Sequence, residues 1–168
     1  MIIKKRRRHE YKTDYLNRVK LLKSGSPRIV FRKTNKYLIA QYVVSKEAKD
    51  KIIMGINSKE LLKYGWPKEL EGSLKSISAA YLLGFLVGKK IINKKLKKPI
   101  LDFGMIRTIY KTKVFGFLKG LIDSGLQINC KKEAFPEEDR IKGKNMIEDF
   151  SKFFEIIKSK IQENGTKK

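Results

Sequence analysis

The sequence contains one cysteine and one histidine among its 168 residues. Cys130 alone cannot form an internal disulfide framework or hold a metal ion, which fits a reducing compartment. His9 lies inside a basic run, so no Ser-His-Asp or Cys-His arrangement can be built around a buried base. The scarcity of both residue types therefore argues against an acyl-transfer enzyme and against a metal site of cysteine and histidine.

Long apolar stretches are also missing from the sequence. The longest run, from Ile77 to Gly88, has 12 residues, whereas a membrane-spanning helix needs roughly twenty. We therefore predict that this run forms a buried helix. The amino terminus is basic at once and lacks the apolar stretch of a secretory signal. We expect a cytoplasmic protein with no membrane partner.

Acidic residues are scarce in one part of the chain only. Residues 1–133 carry 32 Lys and Arg against 10 Asp and Glu, a balance of +22, whereas residues 134–168 balance at +1. The first 40 residues hold 13 of these cations and include the unbroken run from Lys4 to Arg8. Such a local excess is typical of a protein that binds a polyanion. The 41% hydrophobic content is nevertheless enough to bury a core.

The spacing of apolar residues predicts the secondary structure, because helices and strands have different periods. Turn residues such as Ser24-Gly25-Ser26-Pro27 separate the periodic segments. In chain order we predict a short helix ending at Leu22, strands over 28–32, 37–44 and 51–57, irregular structure over 58–75, a buried helix over 76–92, a short strand within 98–104, a helix over 114–126, a short helix near 137, and a last helix with Met146, Ile147, Phe150, Phe153, Phe154, Ile157 and Ile161 on one face.

This order of elements predicts an α/β fold with a mixed β-sheet. An N-terminal antiparallel hairpin precedes a right-handed βαβ crossover, and helices flank the sheet. We divide the chain into a basic arm over residues 1–12, an α/β domain over residues 13–133, and a C-terminal helical extension over residues 134–168, and we expect the arm and the domain to bind the polyanion. The nearly neutral extension is expected to pack on protein rather than on phosphate.

Two short motifs have simple structural explanations. Asp102-Phe103-Gly104 matches the metal-binding triplet of protein kinases, but the rest of the kinase signature is missing, so a turn that ends a strand is favoured. Gly84 and Gly88, like Gly116 and Gly120, are four residues apart, which lets a helix approach the sheet closely. We predict no catalytic residue, no metal ligand and no cofactor.

The features that point to nucleic acid combine charge with aromatic rings. The arm can neutralise a row of phosphates, and tyrosines interleaved with cations offer stacking surfaces. Arg28, Arg32 and Lys36 are expected to share a basic face of the hairpin, which is a rigid platform. The candidate RNA-binding residues are Lys4, Lys5, Arg6, Arg7, Arg8, Tyr11, Lys12, Tyr15, Arg18, Arg28, Arg32, Lys33, Asn35, Lys36, Tyr42, Arg107, Lys111 and Lys113.

Two other functions stay open on the residues alone. A metal-dependent nuclease would need several converging carboxylates, for which Asp102, Asp123, Asp50 and Glu47 are candidates without motif spacing. A protein-interaction module would use the apolar face of the last helix. Its binding would survive high salt, whereas phosphate binding falls steeply as salt rises.

The sequence also resembles a known protein family through several ordered segments. These segments follow one another as in the archaeal and eukaryotic form of ribosomal protein family L-eighteen, and the resemblance covers roughly residues 5 to 145. They include Arg6-Arg7-Arg8, Lys12-Thr13-Asp14-Tyr15, Pro27-Arg28-Ile29-Val30-Phe31-Arg32-Lys33, Tyr64-Gly65-Trp66, Ala79-Ala80-Tyr81-Leu82-Leu83-Gly84, Leu101-Asp102-Phe103-Gly104 and Ile122-Asp123-Ser124-Gly125-Leu126.

This resemblance implies a non-enzymatic constituent of the large ribosomal subunit with a ribonuclease-H-like sheet. By resemblance, the arm and the strand-bearing surface bind 5S rRNA, and further contacts join it to the large-subunit rRNA in the central protuberance. Neighbouring ribosomal proteins are further expected partners, with the C-terminal helix as a candidate contact. We expect the arm to become ordered when it binds RNA.

Overall fold

The computed structural model of the chain describes residues 5–47, 49–146 and 150–164. Within these ranges, no helix is both long and apolar enough to cross a bilayer. The helices and strands are α1 (Arg6–His9), α2 (Tyr15–Lys23), β1 (Arg28–Lys33), β2 (Leu38–Lys46), β3 (Lys49–Asn57), α3 (Ile77–Asn93), β4 (Ile100–Asp102), α4 (Lys113–Asp123), α5 (Glu138–Lys142) and α6 (Phe150–Asn164), with 3₁₀ helices over Ser58–Tyr64, Lys68–Ser73 and Lys132–Ala134.

The four strands form one mixed sheet in the order β3-β2-β1-β4. β1 pairs antiparallel with β2, which pairs antiparallel with β3, whereas β4 lies parallel to β1 with Val30 opposite Asp102. These pairings confirm the predicted α/β class, the mixed sheet and the N-terminal hairpin. The ribonuclease-H-like topology stays a prediction.

The core lies between one face of the sheet and α3. Ile29, Phe31 and Ala40 point from the sheet into this core, because side chains alternate between the two faces of a strand. α3 contacts β2, α4, α5 and α6. Because these elements cover it on several sides, α3 is apolar around most of its circumference. The Ser76 hydroxyl caps α3 by accepting a hydrogen bond from the Ala79 amide at 3.2 Å. The predicted buried helix is confirmed.

The paired glycines bring two helices together rather than a helix and the sheet. A Cβ atom on Gly84 would collide with the Phe117 carbonyl of α4, and one on Gly120 would collide with the Tyr81 carbonyl of α3. The expected helix–sheet approach is therefore wrong, although the expected close packing is right. Glycine spacing identifies a flat helix surface but not the element that packs against it.

The segment predicted to be irregular contains two 3₁₀ helices, Ser58–Tyr64 and Lys68–Ser73. The Asn57 side chain caps the first of them by accepting a hydrogen bond from the Lys59 amide at 3.1 Å. Gly65 ends it in the left-handed conformation. Gly and Pro interrupt the sequence too often for an α-helix, but 3₁₀ helices are short enough to fit between them.

The last helix packs on the core through the apolar face that the sequence predicts. Phe150, Phe154, Ile157 and Ile161 are buried, and the Phe150 ring lies 4.8 Å from the Trp66 ring. Phe153 lies outside this face and is 42% exposed; Ile147 falls outside the described residues. The face proposed for a neighbouring protein is therefore occupied by the protein's own core.

Candidate nucleic-acid interface

The basic arm contains one turn of helix. Residues Arg6 to His9 form α1, and none of them is buried. The Arg7 side chain donates a hydrogen bond to the Thr13 hydroxyl at 2.9 Å, and the Lys5 ammonium lies 4.7 Å from the centre of the Tyr15 ring. The arm is therefore anchored to the start of α2 while its cations stay in solvent. Lys4 lies outside the described residues.

α2 is held to the sheet more by charge than by burial. The Asp14 carboxylate caps it by accepting from the amides of Leu16 and Asn17 at 3.0 and 3.2 Å. None of its residues is buried. Arg18 donates to Asp50 of β3 at 2.9 Å, which ties the helix to the edge strand. α2 is therefore accessible to solvent or to a ligand along its whole length.

Three arginines and two aspartates from α2 and three strands form a connected group, here called the arginine cluster: Arg18, Arg28, Arg32, Asp50 and Asp102. Arg28 bonds Asp50 at 2.8 Å and Asp102 at 3.2 Å. Arg32 donates to the other oxygen of Asp102 at 3.1 Å and to its carbonyl at 2.8 Å. Each carboxylate therefore serves two arginines.

The register of the strands and a glycine turn build this cluster. Ser45 and Asp50 lie opposite each other on β2 and β3, and the Ser45 hydroxyl donates to Asp50 at 2.6 Å. Gly104 has a φ of +59°, and a Cβ atom there would come within 2.8 Å of the Arg32 guanidinium. The turn predicted at Asp102-Phe103-Gly104 is confirmed, and its glycine leaves room for an arginine.

The two carboxylates of the cluster offset two of its three positive charges. Burial alone would raise the pKa of Asp50, but hydrogen bonds from Ser45 and Arg18 and the positive charge of Arg28 outweigh it and lower that pKa. Arg28 is only 1% exposed, yet it bonds two carboxylates and the Ser45 hydroxyl. A buried guanidinium is stable only when its charge and donors are met in this way.

Two candidate RNA-binding residues are therefore corrected. The sequence predicts that Arg28 lies on an exposed basic face. Instead its side chain is buried, and its charge is neutralised by ion pairs with Asp50 and Asp102. Tyr42 is buried in the core, and its hydroxyl donates to the Lys97 carbonyl at 2.9 Å, so its ring cannot stack on a base. The alternation of the strand predicts which face a residue is on, but not what covers that face.

An open depression lies beside the cluster, here called the basic groove. It has a volume of about 840 Å³ and runs between the end of β1, the loop after β4 and the start of α4. Among the described residues that line it, seven are Lys or Arg and none is acidic. The four that form no ion pair within the described part of the chain are Lys33, Arg107, Lys113 and Arg140.

Like charges crowd one end of the basic groove. Partial burial, together with the positive charges of Lys33 and Lys75, lowers the pKa of Lys113. The amino end of α4, which carries a partial positive charge, begins at the same residue. This end of the groove therefore lacks the counter-charge that the arginine cluster has.

The arm and the basic groove form one surface. A smaller cleft of about 130 Å³ is lined by Arg7 and Arg18 on one side and by Asp102 on the other. Lys12 and Arg32 line both this cleft and the basic groove. Lys12 and Arg32 therefore connect the arm to the groove, and Asp14 and Asp102 also line the smaller cleft between them.

The other candidate residues lie in varied surroundings. Asn35 and Lys36 are exposed at the hairpin turn, where the Asn35 carbonyl accepts a hydrogen bond from Lys75 at 2.9 Å. Lys111 is exposed and pairs with Glu137 at 3.1 Å. Sequence reasoning missed Arg140, which lines the groove, and Lys75, whose positive charge acts on Lys113.

The carboxylates suggested for a nuclease form no group of three in the described part of the chain, although Asp50 and Asp102 both bond Arg28. Within residues 5–47, 49–146 and 150–164, no three side chains of His, Cys, Asp or Glu are grouped so as to hold a metal ion. Asp102 and Asp50 bind arginines, and Asp123 accepts a hydrogen bond from Tyr81 at 2.8 Å. These carboxylates have structural roles in the fold.

Comparison with known proteins identifies the family of the chain. A family model described as ribosomal large subunit proteins 60S L5 and 50S L18 matches residues 1–99. A protein named large ribosomal subunit protein uL18 from Methanoculleus marisnigri is 43% identical over 143 residues, which are 85% of this chain and 79% of that protein. The chain belongs to the uL18 family. The uL18 protein of Korarchaeum cryptofilum is 40% identical over 144 residues, which are 86% and 72% of the two chains.

Membership of the uL18 family confirms the resemblance found in the sequence. A uL18 protein is a structural constituent of the large ribosomal subunit and not an enzyme, so its partners are rRNA and other ribosomal proteins. Its location is the ribosome, within the cytoplasm. The basic surface described above is therefore a candidate for contact with rRNA.

Proposed function

We propose that this uL18 chain binds 5S rRNA and helps attach it to the large-subunit rRNA in the central protuberance. The resemblance of residues 5 to 145 to the archaeal and eukaryotic form of the family supports this choice of RNA. The charge supports it independently, because the +22 balance of residues 1–133 is typical of a protein that binds a polyanion.

The observation that carries the proposal is the continuity between arm and basic groove. Lys12 and Arg32 line both clefts, so one RNA backbone can follow the arm and enter the groove. Cations along such a path neutralise successive phosphates and release counterions. The arginine cluster lies beneath this path and holds α2 to the sheet. A rigid base of this kind favours recognition of RNA by shape.

The proposed contacts follow from the exposure of each side chain. Arg18 and Arg32 are only partly available, because each also bonds a carboxylate of the cluster. Arg28 and Tyr42 are left out because they are buried. The remaining proposed contacts are Lys5, Arg6, Arg7, Arg8, Tyr11, Lys12, Tyr15, Lys33, Asn35, Lys36, Arg107, Lys111 and Lys113. Lys4 is also proposed, from its place in the basic run of the sequence alone.

Contact of the C-terminal helix with a neighbouring ribosomal protein is a separate part of the proposal. The buried face of α6 is occupied by the core, so such a contact would use the outer side chains Phe153 and Ile156. Both are large, apolar and exposed. The near-neutral charge of residues 134–168 supports a protein partner at this end.

The test is a salt titration of binding to 5S rRNA beside a transfer RNA. We expect a clear preference for 5S rRNA that persists near physiological salt, because shape recognition adds to the phosphate contacts. Equal affinity for both RNAs that disappears as salt rises would overturn the proposal. Removal of residues 1–12 should weaken the binding of both RNAs and lower the dependence on salt.

A further inference from the structure

The loop after β4 exposes an unusual amount of apolar surface for a basic region. Met105, Ile109 and Tyr110 are 50%, 58% and 53% exposed, and all three line the basic groove. Contiguous exposed apolar side chains usually mark a binding site. Phosphate groups gain nothing from such a surface, so the proposed phosphate contacts leave these three residues unexplained.

The loop is held in place on both sides. The Ile106 amide donates to the Phe103 carbonyl at 3.2 Å, and the Thr112 hydroxyl donates to the Ile109 carbonyl at 2.7 Å. The Lys111 amide donates to the Ala134 carbonyl at 2.9 Å. The groove is therefore formed before any ligand arrives, which lowers the entropy cost of binding.

Tyr110 has a fixed ring with free surface. Its ring packs edge to face on Phe115, with 5.4 Å between the ring centres and 79° between the planes. About half of the side chain stays exposed to the groove and solvent. A ring held in this way is a suitable stacking partner, since little side-chain freedom is lost when a flat ligand covers it.

The rim decides which class of ligand fits. Lys33, Arg107 and Lys113 line the same groove as the apolar residues, and none of the described lining residues is acidic. A ligand that satisfies both parts must be flat and apolar in one portion and anionic in the next. A nucleotide of single-stranded RNA has this composition, whereas a protein segment would need several acidic side chains around an aromatic one.

We propose that the basic groove receives one unstacked base of the bound rRNA, with the base against Tyr110 and Met105 and its flanking phosphates on Lys33 and Lys113. This inference rests on the proposed function, because it assigns part of the RNA to one part of that surface.

The test compares Tyr110→Ala and Tyr110→Phe with the wild-type protein in a salt titration with 5S rRNA. Stacking should be lost in Tyr110→Ala, with affinity falling roughly 5- to 100-fold. The slope of log Kd against log salt should not change, because no phosphate contact is removed. Tyr110→Phe should bind like the wild type, since stacking uses the ring and not the hydroxyl.

Phe153→Ala is the matched control, because it removes an exposed aromatic ring from α6, outside the groove. Met105→Ala provides a second variant should Tyr110→Ala fail to fold, and it should also weaken binding at constant slope. Chemical probing of the RNA adds a direct readout: one nucleotide protected by the wild type should become reactive with Tyr110→Ala.

The inference would be overturned if Tyr110→Ala had the same RNA affinity and the same nucleotide reactivity as the Phe153→Ala control. The exposed apolar residues of the groove would then be a candidate contact for a neighbouring protein. That outcome would not touch the proposed function if the wild type still prefers 5S rRNA. The opposite outcome has two parts: the wild type shows no preference for 5S rRNA, and Tyr110→Ala still binds RNA less tightly than the wild type. That outcome would overturn the proposed function but not the inference about the groove.

Discussion

Two basic regions share β1 and use their charges in opposite ways. In the arginine cluster, two carboxylates meet three guanidinium groups, and the innermost, Arg28, is almost completely buried. In the basic groove, Lys33 and Lys113 crowd together without a carboxylate among the described lining residues. Charge is used to stabilise the fold in the first region and is available to a ligand in the second.

The difference lies in where the few acidic residues fall. Asp50 and Asp102 are placed by β3 and β4 so that both reach Arg28. Arginine suits this arrangement because its planar group can bond several acceptors at once, whereas lysine is a compact charge on a flexible stem. A count of cations along the sequence therefore overestimates the charge that faces RNA, and the overestimate is concentrated at the arginines of β1.

The largest expected effect is on the stability of the arginine cluster. Asp102→Asn keeps the shape of the side chain but leaves Arg28 with only the charge of Asp50. We expect a loss of about 3 kcal/mol in the free energy of unfolding, which lowers Tm by roughly 6–12 °C. Thermal and urea unfolding measure it, and the slope of RNA affinity against salt should not change.

Asp139→Asn is the control for this change. Asp139 pairs with Lys144 at 2.6 Å, but both side chains are more than half exposed. Such surface pairs contribute less than about 1 kcal/mol. If the two variants lose equal stability, the cluster is not the structural unit that its geometry indicates.

The next effect concerns the basic groove. Replacing Lys33 and Lys113 together with glutamine should weaken binding of 5S rRNA several-fold. If each lysine neutralises one phosphate, the slope of log affinity against log salt should fall by roughly 1.4 to 1.8. Tm should hold or rise, because repulsion among like charges is relieved. Salt titration and thermal unfolding of the same samples separate the two effects.

Lys63 and Lys68 provide a matched pair of controls. Both are exposed on the 3₁₀ segment and do not line the groove. Their replacement by glutamine removes the same charge from the protein. An equal fall in slope for both pairs would mean that RNA responds to the total charge and not to the groove.

The two regions also differ in how much of them could be predicted from the sequence. Local patterns predicted the hairpin, the buried helix that begins after Ser76, the strand that ends at Asp102 and the basic character of the surface. Each of these follows from periodicity, capping or composition within a short stretch. The family resemblance then supplied the ribosomal assignment, which the comparisons confirmed.

What sequence reasoning missed depends on residues far apart in the chain. Arg28 meets Asp102 across 74 positions, and Tyr42 reaches the Lys97 carbonyl across 55. Gly84 packs on Phe117 of α4 instead of on the sheet, and this contact also joins residues far apart in the chain. The groove itself combines the ends of β1 and β4 with the start of α4. No local pattern carries information about these pairings.

The smallest effects separate the two regions by pH. The pKa of Asp50 is lowered in the folded protein, so its charged form stabilises the fold above the ordinary value of about 3.9 and this contribution is lost as pH falls below it. The pKa of Lys113 is lowered as well, but here the charged form destabilises the fold. Stability should therefore rise as pH increases through the range just below the ordinary lysine value of about 10.4.

Thermal unfolding across pH, with each variant compared with the wild type, tests both contributions. The difference between wild type and Asp50→Asn should shrink only on the acid side, and the difference between wild type and Lys113→Gln should change only on the alkaline side. Bound phosphate would favour the charged form of Lys113, so 5S rRNA should bind less tightly as pH rises through the alkaline range. If Lys113→Gln shows the same alkaline loss of affinity as the wild type, Lys113 does not contact a phosphate, and the arm and the other cations of the groove would supply the charge that the arginine cluster withholds.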